Sequence, residues 1–271
     1  MNIGLIGAQN SHARHFCNAI NKTGNWPGVK IRYVYGADDP TESAKLCAAF
    51  GLAEVASEAE LIAKSDAVVV TYRKGSEHYP PVMAALKAGK PVFNDKPFAT
   101  DLREAKEIAA LAEALNVPLT GGTNLKGLPE LPAIRESIVP GSTVVISFAA
   151  DPSSEYDGYW FYGIHAAELC LVLCGEGFTS VDAFENHGVV MSYVNYPDKQ
   201  CILVTAPQSG DLKISVTNGG QTVCYAIPLN YQDVGPGEFV AMAQTGQPPR
   251  KYSHYTRAVE LVGGIIASAN L

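Results

Sequence analysis

An alternation of strand-like and helix-like segments over residues 1–122 constrains this chain more than any other feature. Residues 66–71, Asp-Ala-Val-Val-Val-Thr, form an apolar strand of the kind found in parallel sheets that are covered on both faces. The other strands are predicted up to Gly7 and at 29–35, 53–56, 91–93 and 117–120, with helices at 13–20, 41–50, 57–63, 80–88 and 100–115. This order predicts a doubly wound parallel α/β sheet, whose ligands bind beyond the carboxyl ends of the strands.

The pattern changes after Gly122. From residue 180 to 227, strand-like runs follow one another, separated by turns, and we interpret these runs as an antiparallel meander with one apolar face. The strands are predicted at 143–150, 180–186, 189–196, 200–206, 212–217 and 222–227, and the helices at 128–138, 166–173, 237–244 and 253–269. We therefore predict two domains, 1–122 and 123–271, the second an α+β domain with a mostly antiparallel sheet.

The composition describes a soluble globular protein, with 47% hydrophobic and 17% charged residues. The formal net charge is −7 and the chain has no Lys/Arg run, so nucleic acid and anionic membrane surfaces are poor candidate partners. Because a predicted strand follows Met1 directly, we expect no leader peptide. Because no apolar run approaches about 18 residues, we expect no membrane span. The six cysteines lack zinc spacing, and we interpret Cys170 and Cys174 as small buried residues in a reduced, cytoplasmic protein.

The first strand ends in the turn Gly7-Ala8-Gln9-Asn10-Ser11, which leads into the first predicted helix. Such a turn presents backbone N–H groups and a partial positive charge to a phosphate. Gly7 supplies the first glycine of the dinucleotide fingerprint G-x-G-x-x-G, but Gln9 and His12 occupy the positions of the other two. On this segment alone, a buried strand followed by an ordinary polar turn explains the pattern equally well.

Three further segments, together with the first, resemble the Gfo/Idh/MocA family of glucose–fructose oxidoreductase, inositol dehydrogenase and their relatives. Residues 89–99, Gly-Lys-Pro-Val-Phe-Asn-Asp-Lys-Pro-Phe-Ala, are similar to the family's G-K-x-V-x-x-E-K-P-x-A, with Asp95 in place of its Glu. Residues 66–78 match its apolar strand, threonine-bearing loop and helix-opening histidine. Residues 161–168 resemble its D-x-G-x-H-x-x-D, with Phe161 where the first Asp stands. The resemblance implies a Rossmann-type dinucleotide-binding domain followed by a substrate and oligomerisation domain.

The resemblance also assigns roles to residues of this chain. Lys96 polarises the reacting oxygen, and His165 is the acid/base, which suits a side chain whose unperturbed pKa is close to neutral pH. The predicted cofactor-binding residues are Gly7, Ala8, Gln9, Asn10, Ser11, Asp38, Thr71, Tyr72 and Lys96, and the predicted substrate-binding residues are Tyr162 and Glu168. No metal is predicted. Two alternatives stay open: Glu168 merely orients His165, or the two side chains share a metal ion.

The cofactor is expected to be NAD or NADP. Asp38 or Asp39 follows the second strand, where an acid binds the adenosine ribose and repels a 2′-phosphate. We choose Asp38, and this choice favours NAD.

The function that follows is an NAD(P)-dependent oxidoreductase for a small polyol, sugar or related hydroxy/keto compound. Lys96 and His165 favour this hypothesis. The altered glycine fingerprint and Phe161 favour the alternative, a ligand-binding or regulatory relative that has lost hydride transfer. We also expect a homodimer or a dimer of dimers through the C-terminal sheet, because Met191, Tyr193 and other apolar side chains occupy its outward positions.

Overall fold

In the computed structural model, which describes residues 1–207, 210–229 and 234–271, the first alternation forms a six-stranded parallel sheet. Its order is β3-β2-β1-β4-β5-β6, so the chain reverses direction across the sheet between β1 and β4. The strands are β1 (Asn2–Ile6), β2 (Lys30–Tyr35), β3 (Ala53–Glu54), β4 (Ala67–Val70), β5 (Val92–Asn94) and β6 (Leu119–Gly121). This reversal is where ligands of doubly wound sheets bind, and the predicted fold class is confirmed.

Five helices connect these strands, and short polar side chains fix where several of them begin. The helices are α1 (Ser11–Cys17), which a π-helical stretch (Asn18–Lys22) extends, α2 (Pro40–Phe50), α3 (Glu58–Lys64), α4 (Tyr79–Lys87) and α5 (Leu102–Leu115). The side chains of Asn10, Asp39 and Ser57 each accept a hydrogen bond from a backbone N–H in the first turn of α1, α2 and α3. The predicted helices lie close to these bounds, because the capping residues that fix the helix starts are adjacent in sequence.

A second sheet of six strands has the order β12-β11-β7-β10-β9-β8. Its strands are β7 (Thr143–Ala149), β8 (Ser180–Asn186), β9 (Val189–Asn195), β10 (Gln200–Ala206), β11 (Leu212–Asn218) and β12 (Gln221–Ile227). The predicted meander is wrong at one point, because β7 lies between β10 and β11 and runs parallel to β10. Alternating sequence patterns indicate hairpins between successive strands, but they do not show where an earlier strand enters the sheet.

Among the described residues, four α-helices accompany this part of the chain: α6 (Leu131–Glu136), α7 (Trp160–Cys174), α8 (Val234–Thr245) and α9 (Ser253–Ala269). Helix α7 begins six residues before the predicted 166, and twelve of its residues are buried. A helix that is apolar on every side is a core helix. Its apolar residues share one hydrophobic core with the inward faces of β7 and β10 and with α9.

The chain divides into two compact units that differ from the predicted domains 1–122 and 123–271. The first unit comprises Met1–Ala99, Arg103–Gly122 and Gln232–Tyr252, and the second comprises Thr100–Leu102, Thr123–Tyr231 and Ser253–Leu271. Helix α8 belongs to the first unit because Phe239 packs against Phe93 and Phe16, with ring centroids 6.1 and 6.4 Å away. None of the helices in the described part of the chain has the length and apolar character that crossing a membrane requires.

Candidate functional site

The turn after β1 is packed against the end of β4 in the first unit. Gly7 has a φ of +93°, and a Cβ added there would lie 2.7 Å from the backbone nitrogen of Tyr72. The Thr71 hydroxyl donates a hydrogen bond to the Gly7 carbonyl oxygen at 2.9 Å. Only glycine fits this position, because both the backbone conformation and the close approach exclude a side chain. Three predicted cofactor-binding residues, Gly7, Thr71 and Tyr72, therefore lie together.

Asp38 faces the same turn. Its carboxylate accepts hydrogen bonds from the backbone N–H of Ala8, at 2.9 and 3.0 Å from its two oxygens, and from the N–H of Gln9 at 3.0 Å. Asp39 instead caps α2 by accepting a hydrogen bond from the Glu42 N–H at 2.9 Å. Of the two candidate acids, Asp38 is thus the one whose carboxylate contacts the turn.

A buried polar cluster, which sequence reasoning did not find, connects this turn to the end of β5. Both carboxylate oxygens of Asp95 lie 2.9 Å from His12 Nδ1, and one of them accepts a hydrogen bond from Asn10 Nδ2 at 3.0 Å. Burial alone would raise the pKa of Asp95, but His12, Lys96 and His78 outweigh it and hold that pKa below its ordinary value. The Asp95 carboxylate is therefore ionised although it is fully buried.

This contact joins two departures from the family pattern that the sequence presented separately. His12 stands at the third glycine position of the fingerprint, and Asp95 replaces the family's Glu. In the folded chain the larger residue at position 12 reaches the shorter acid at position 95. Each departure accommodates the other, and both belong to the same polar cluster.

Lys96 follows Asp95 and is 3% exposed. Burial lowers the pKa of its ammonium to about 8, since the Asp95 carboxylate, which raises the pKa, offsets burial only in part and Arg73 lowers it further. The Asn94 side chain donates to the Phe98 carbonyl oxygen at 2.7 Å and closes the loop around Lys96 and Pro97, which are joined by a cis peptide bond. A lysine whose pKa lies this close to neutral pH can hold or release a proton under ordinary conditions.

In the second unit, His165 lies on α7 and is nearly buried. Its Nδ1 is 2.5 Å from the Thr123 hydroxyl, and its ring centroid lies 5.6 Å from that of Phe148 and 5.1 Å from that of Tyr162. Thr123 also donates its backbone N–H to Glu168 at 2.8 Å. Thr123 therefore holds both His165 and Glu168, and neither the spacing nor the motif had singled it out.

Glu168, predicted to bind substrate, is fully buried. Its second carboxylate oxygen faces His254, whose Nε2 is 3.4 Å away. Lys126, also buried, donates to the Thr123 carbonyl oxygen at 3.0 Å. Glu168 and His165 thus share Thr123 as a partner, and the role of Glu168 in binding substrate stays a prediction.

A cavity of about 580 Å³ opens in the second unit where β7 ends and α7 begins. Tyr162, the other predicted substrate-binding residue, lines it and also contacts the His165 ring. The remaining lining residues are Ala149, Ala150, Asp151, Ser153, Ser154, Glu155, Tyr156, Phe161 and Pro207. This lining, all within the described residues, contains hydroxyl groups, carboxylates and aromatic faces but no basic side chain.

We predict that Lys96→Met makes the protein more stable below pH 8. Since the folded-state pKa of about 8 lies below the ordinary 10.5, the unfolded chain binds more protons between these values, and wild-type stability rises with pH across that window. The variant should gain up to about 3 kcal/mol in unfolding free energy at pH 7. Denaturant unfolding from pH 7 to 10.5 measures this.

Lys106→Met, at an exposed position of α5, is the matched control and should keep the wild-type pH dependence. If Lys96→Met and wild type show parallel stability curves over this range, the lowered pKa of Lys96 is wrong.

Residues 1–123 match the model of the Gfo/Idh/MocA oxidoreductase family, NAD-binding Rossmann fold. An inositol 2-dehydrogenase of Cereibacter sphaeroides is 35% identical over 121 residues, which are 42% of this chain and 34% of that protein. The matched region thus spans about a third of that curated relative.

Solved structures resemble the whole chain at low sequence identity. GenD2 from gentamicin A biosynthesis, in complex with NAD, has a TM-score of 0.86 at 16% identity and covers 100% of this chain and 94% of its own. A variant of the 3-ketoreductase KijD10 from Actinomadura kijaniata, in complex with TDP-benzene and NADP, has a TM-score of 0.79 at 16% identity, covering 99% and 98%. These likenesses show a shared fold. The predicted resemblance is confirmed for residues 1–123, which match the model of the Gfo/Idh/MocA oxidoreductase family.

Proposed function

We propose that the protein is an NAD(P)-dependent oxidoreductase that transfers a hydride between the nicotinamide cofactor and a small polyol, sugar or related hydroxy/keto compound. The observation that carries this proposal is the buried Lys96, whose pKa is lowered to about 8 beside an ionised Asp95. Both residues lie at the carboxyl edge of the parallel sheet, within the region that matches the NAD-binding family model. The inositol 2-dehydrogenase relative supports a polyol or sugar as substrate.

The residues around the first turn fit a dinucleotide. In our proposal the pyrophosphate contacts the turn from Gly7 to Ser11, where α1 begins, because helix N-termini bind anions. Thr71 and Tyr72 flank the cofactor, and Asp38, already at the turn, takes the ribose hydroxyls. A bound nicotinamide would supply the site that accepts or donates the hydride.

Lys96 and His165 divide the remaining work. Lys96 places a positive charge or a proton beside the reacting oxygen, and its pKa near 8 lets it do either at physiological pH. His165, held through Nδ1 by Thr123, takes or returns the proton that leaves with the hydride. Glu168 and Thr123 keep the imidazole in place.

The cavity beside Tyr162 is our proposed substrate site. Aromatic faces such as Tyr156 and Phe161 pack against the C–H surfaces of a ring, while Ser153, Asp151 and similar groups bind hydroxyls. All the lining residues belong to the described part of the chain, and they include acidic but no basic side chains. Such a lining suits a neutral polyhydroxy compound.

A second candidate is a relative that binds its ligand without hydride transfer. Phe161 supports it, because an aromatic ring lines the cavity where the family motif has a carboxylate. The Asp38 carboxylate, which bonds two N–H groups of the cofactor turn, supports it as well. The catalytic test below separates the two candidates.

For the cofactor, we predict saturable enhancement of NADH fluorescence and a loss of NAD preference in Asp38→Ala. Removing the carboxylate takes away a ribose ligand and a charge that repels a 2′-phosphate. The ratio of the NADP and NAD dissociation constants should fall by about tenfold or more, which corresponds to about 1.4 kcal/mol. Isothermal titration with both cofactors measures the ratio.

Asp39→Ala is the control, because Asp39 caps α2 and should affect stability but not the ratio. Equal losses for NAD and NADP in Asp38→Ala would remove Asp38 as the ribose ligand, and no binding at millimolar cofactor would remove the dehydrogenase proposal.

For catalysis, we predict that Lys96→Ala and His165→Ala each lower kcat by about 10²–10⁴ while cofactor affinity stays nearly unchanged. Both residues are proposed to act mainly on the transition state. The measurement is NADH formation with myo-inositol and a panel of other polyols and sugars, and the pH profile of kcat should lose its limb nearest neutrality in His165→Ala.

Lys106→Ala and His187→Ala, both at exposed positions, should behave as wild type. Cofactor binding without turnover on any substrate, together with altered ligand affinity in both variants, would instead favour the non-catalytic relative.

For assembly, we propose a homodimer or a dimer of dimers through the outward face of the second sheet. Phe184 on this face is 48% exposed, and its neighbours Met191, Tyr193 and Val204 are half-buried. An apolar face of this extent is typical of an interface. Tyr193→Glu should dissociate the assembly in light scattering, while Val139→Glu, exposed outside the sheet, should not. A monomeric wild type at micromolar concentration would contradict the proposal.

A further inference from the structure

Three cysteine side chains converge in the core of the second unit. Cys170 and Cys174 lie one turn apart on α7, and Cys201 lies on β10. Their three sulfur atoms are all within 4.8 Å of one another, and all three residues are buried. The sequence spacing gave no sign of this group, because the third thiol comes from a strand distant along the chain.

The spacing of the sulfurs is close to that of a common ligand set. Thiophilic centres bond sulfur at about 2.3 Å, so three sulfurs bound to one centre lie about 4 Å apart in a planar arrangement and about 3.4 Å apart in a pyramidal one. Small side-chain rotations of the cysteines would close the remaining gap. Cys174 is the least buried of the three, at 8% exposure.

The surroundings restrict the charge that the occupied site can carry. The three cysteines belong to a hydrophobic core that includes Leu171, Val194 and Leu203, and an uncompensated charge is strongly unfavourable there. Three thiolates leave two negative charges around a monovalent ion and one around a divalent ion. With a trivalent centre, the complex is neutral.

Zinc fits less well for a second reason. Structural zinc sites have four protein ligands, and no fourth His, Cys, Asp or Glu joins this group in the described ranges of the chain. The Tyr196 hydroxyl lies 3.4 Å from Cys170 Sγ, and it already donates to the Gly175 carbonyl oxygen.

We propose that Cys170, Cys174 and Cys201 form a three-thiol binding site for one trivalent metalloid, arsenic(III). Binding exchanges ligands without redox chemistry: arsenous acid, As(OH)₃, reacts with three thiols, three As–O bonds are replaced by three As–S bonds, and three water molecules leave. Each thiol proton departs with a hydroxide of the acid, so the product has no net charge.

The test uses the reduced full chain with sodium arsenite. Native mass spectrometry should show one adduct per chain, with a mass gain of one arsenic atom less three hydrogens. X-ray absorption at the arsenic edge should show three sulfur neighbours and no oxygen. Both measurements use the wild type, so they do not depend on whether a core variant folds.

Variants locate the site. Losing a group outside the coordination shell typically weakens metal binding by about 10–100-fold, so Cys201→Ala or Cys174→Ala should weaken arsenite binding by at least about 100-fold. Cys17→Ala, buried in the other core, and Cys224→Ala, exposed on β12, are controls that should bind as wild type. Tyr196→Phe should retain the adduct, because the hydroxyl is not a ligand.

Four results would overturn the proposal: an adduct that loses fewer than three hydrogens, oxygen neighbours in the absorption spectrum, undiminished binding in folded Cys201→Ala, or displacement of arsenite by equimolar zinc. In each of these cases the three cysteines would be no more than small packing residues or a zinc site.

Discussion

The structure of the candidate site in the first unit depends on one buried carboxylate, that of Asp95. It accepts a hydrogen bond from Asn10, contacts His12 through both oxygens and lies next to Lys96 in sequence. Asn10 in turn caps the helix that follows the glycine turn. The same carboxylate thus fixes the turn after β1 and sets the electrostatic surroundings of the lysine after β5. Without it, burial would lower the pKa of Lys96 further.

Burying a carboxylate and a lysine together often lowers the stability of the folded state. The desolvation of two charges can exceed their mutual attraction, and perturbed pKa values of this kind concentrate at functional sites. The pKa of Lys96 stays lowered because Asp95 offsets only part of the effect of burial and Arg73 adds to it. We therefore expect the protein to be less stable at neutral pH than it would be with an apolar residue at position 96.

Much of this could be predicted from the sequence, because the signals involved are local. The apolar strand of residues 66–71, the Pro-flanked Lys96 and the glycine that ends α2 each act within a few residues. What escaped prediction depends on contacts between distant positions. The pairing of His12 with Asp95, the entry of β7 between β10 and β11, and the packing of Phe239 with Phe16 and Phe93 are of this kind. No periodicity or spacing in one chain encodes them.

The pKa of the Lys96 ammonium tests the proposed electrostatics of the site most directly, and NMR of protein carrying isotope-labelled lysine measures it. We predict one lysine resonance that titrates near pH 8, that is missing from the Lys96→Met spectrum and that moves to lower pH in Asp95→Asn. If every lysine of the wild type titrates near the ordinary value of 10.5, Lys96 is not buried beside Asp95 as described, and the electrostatic basis of the proposed function is contradicted.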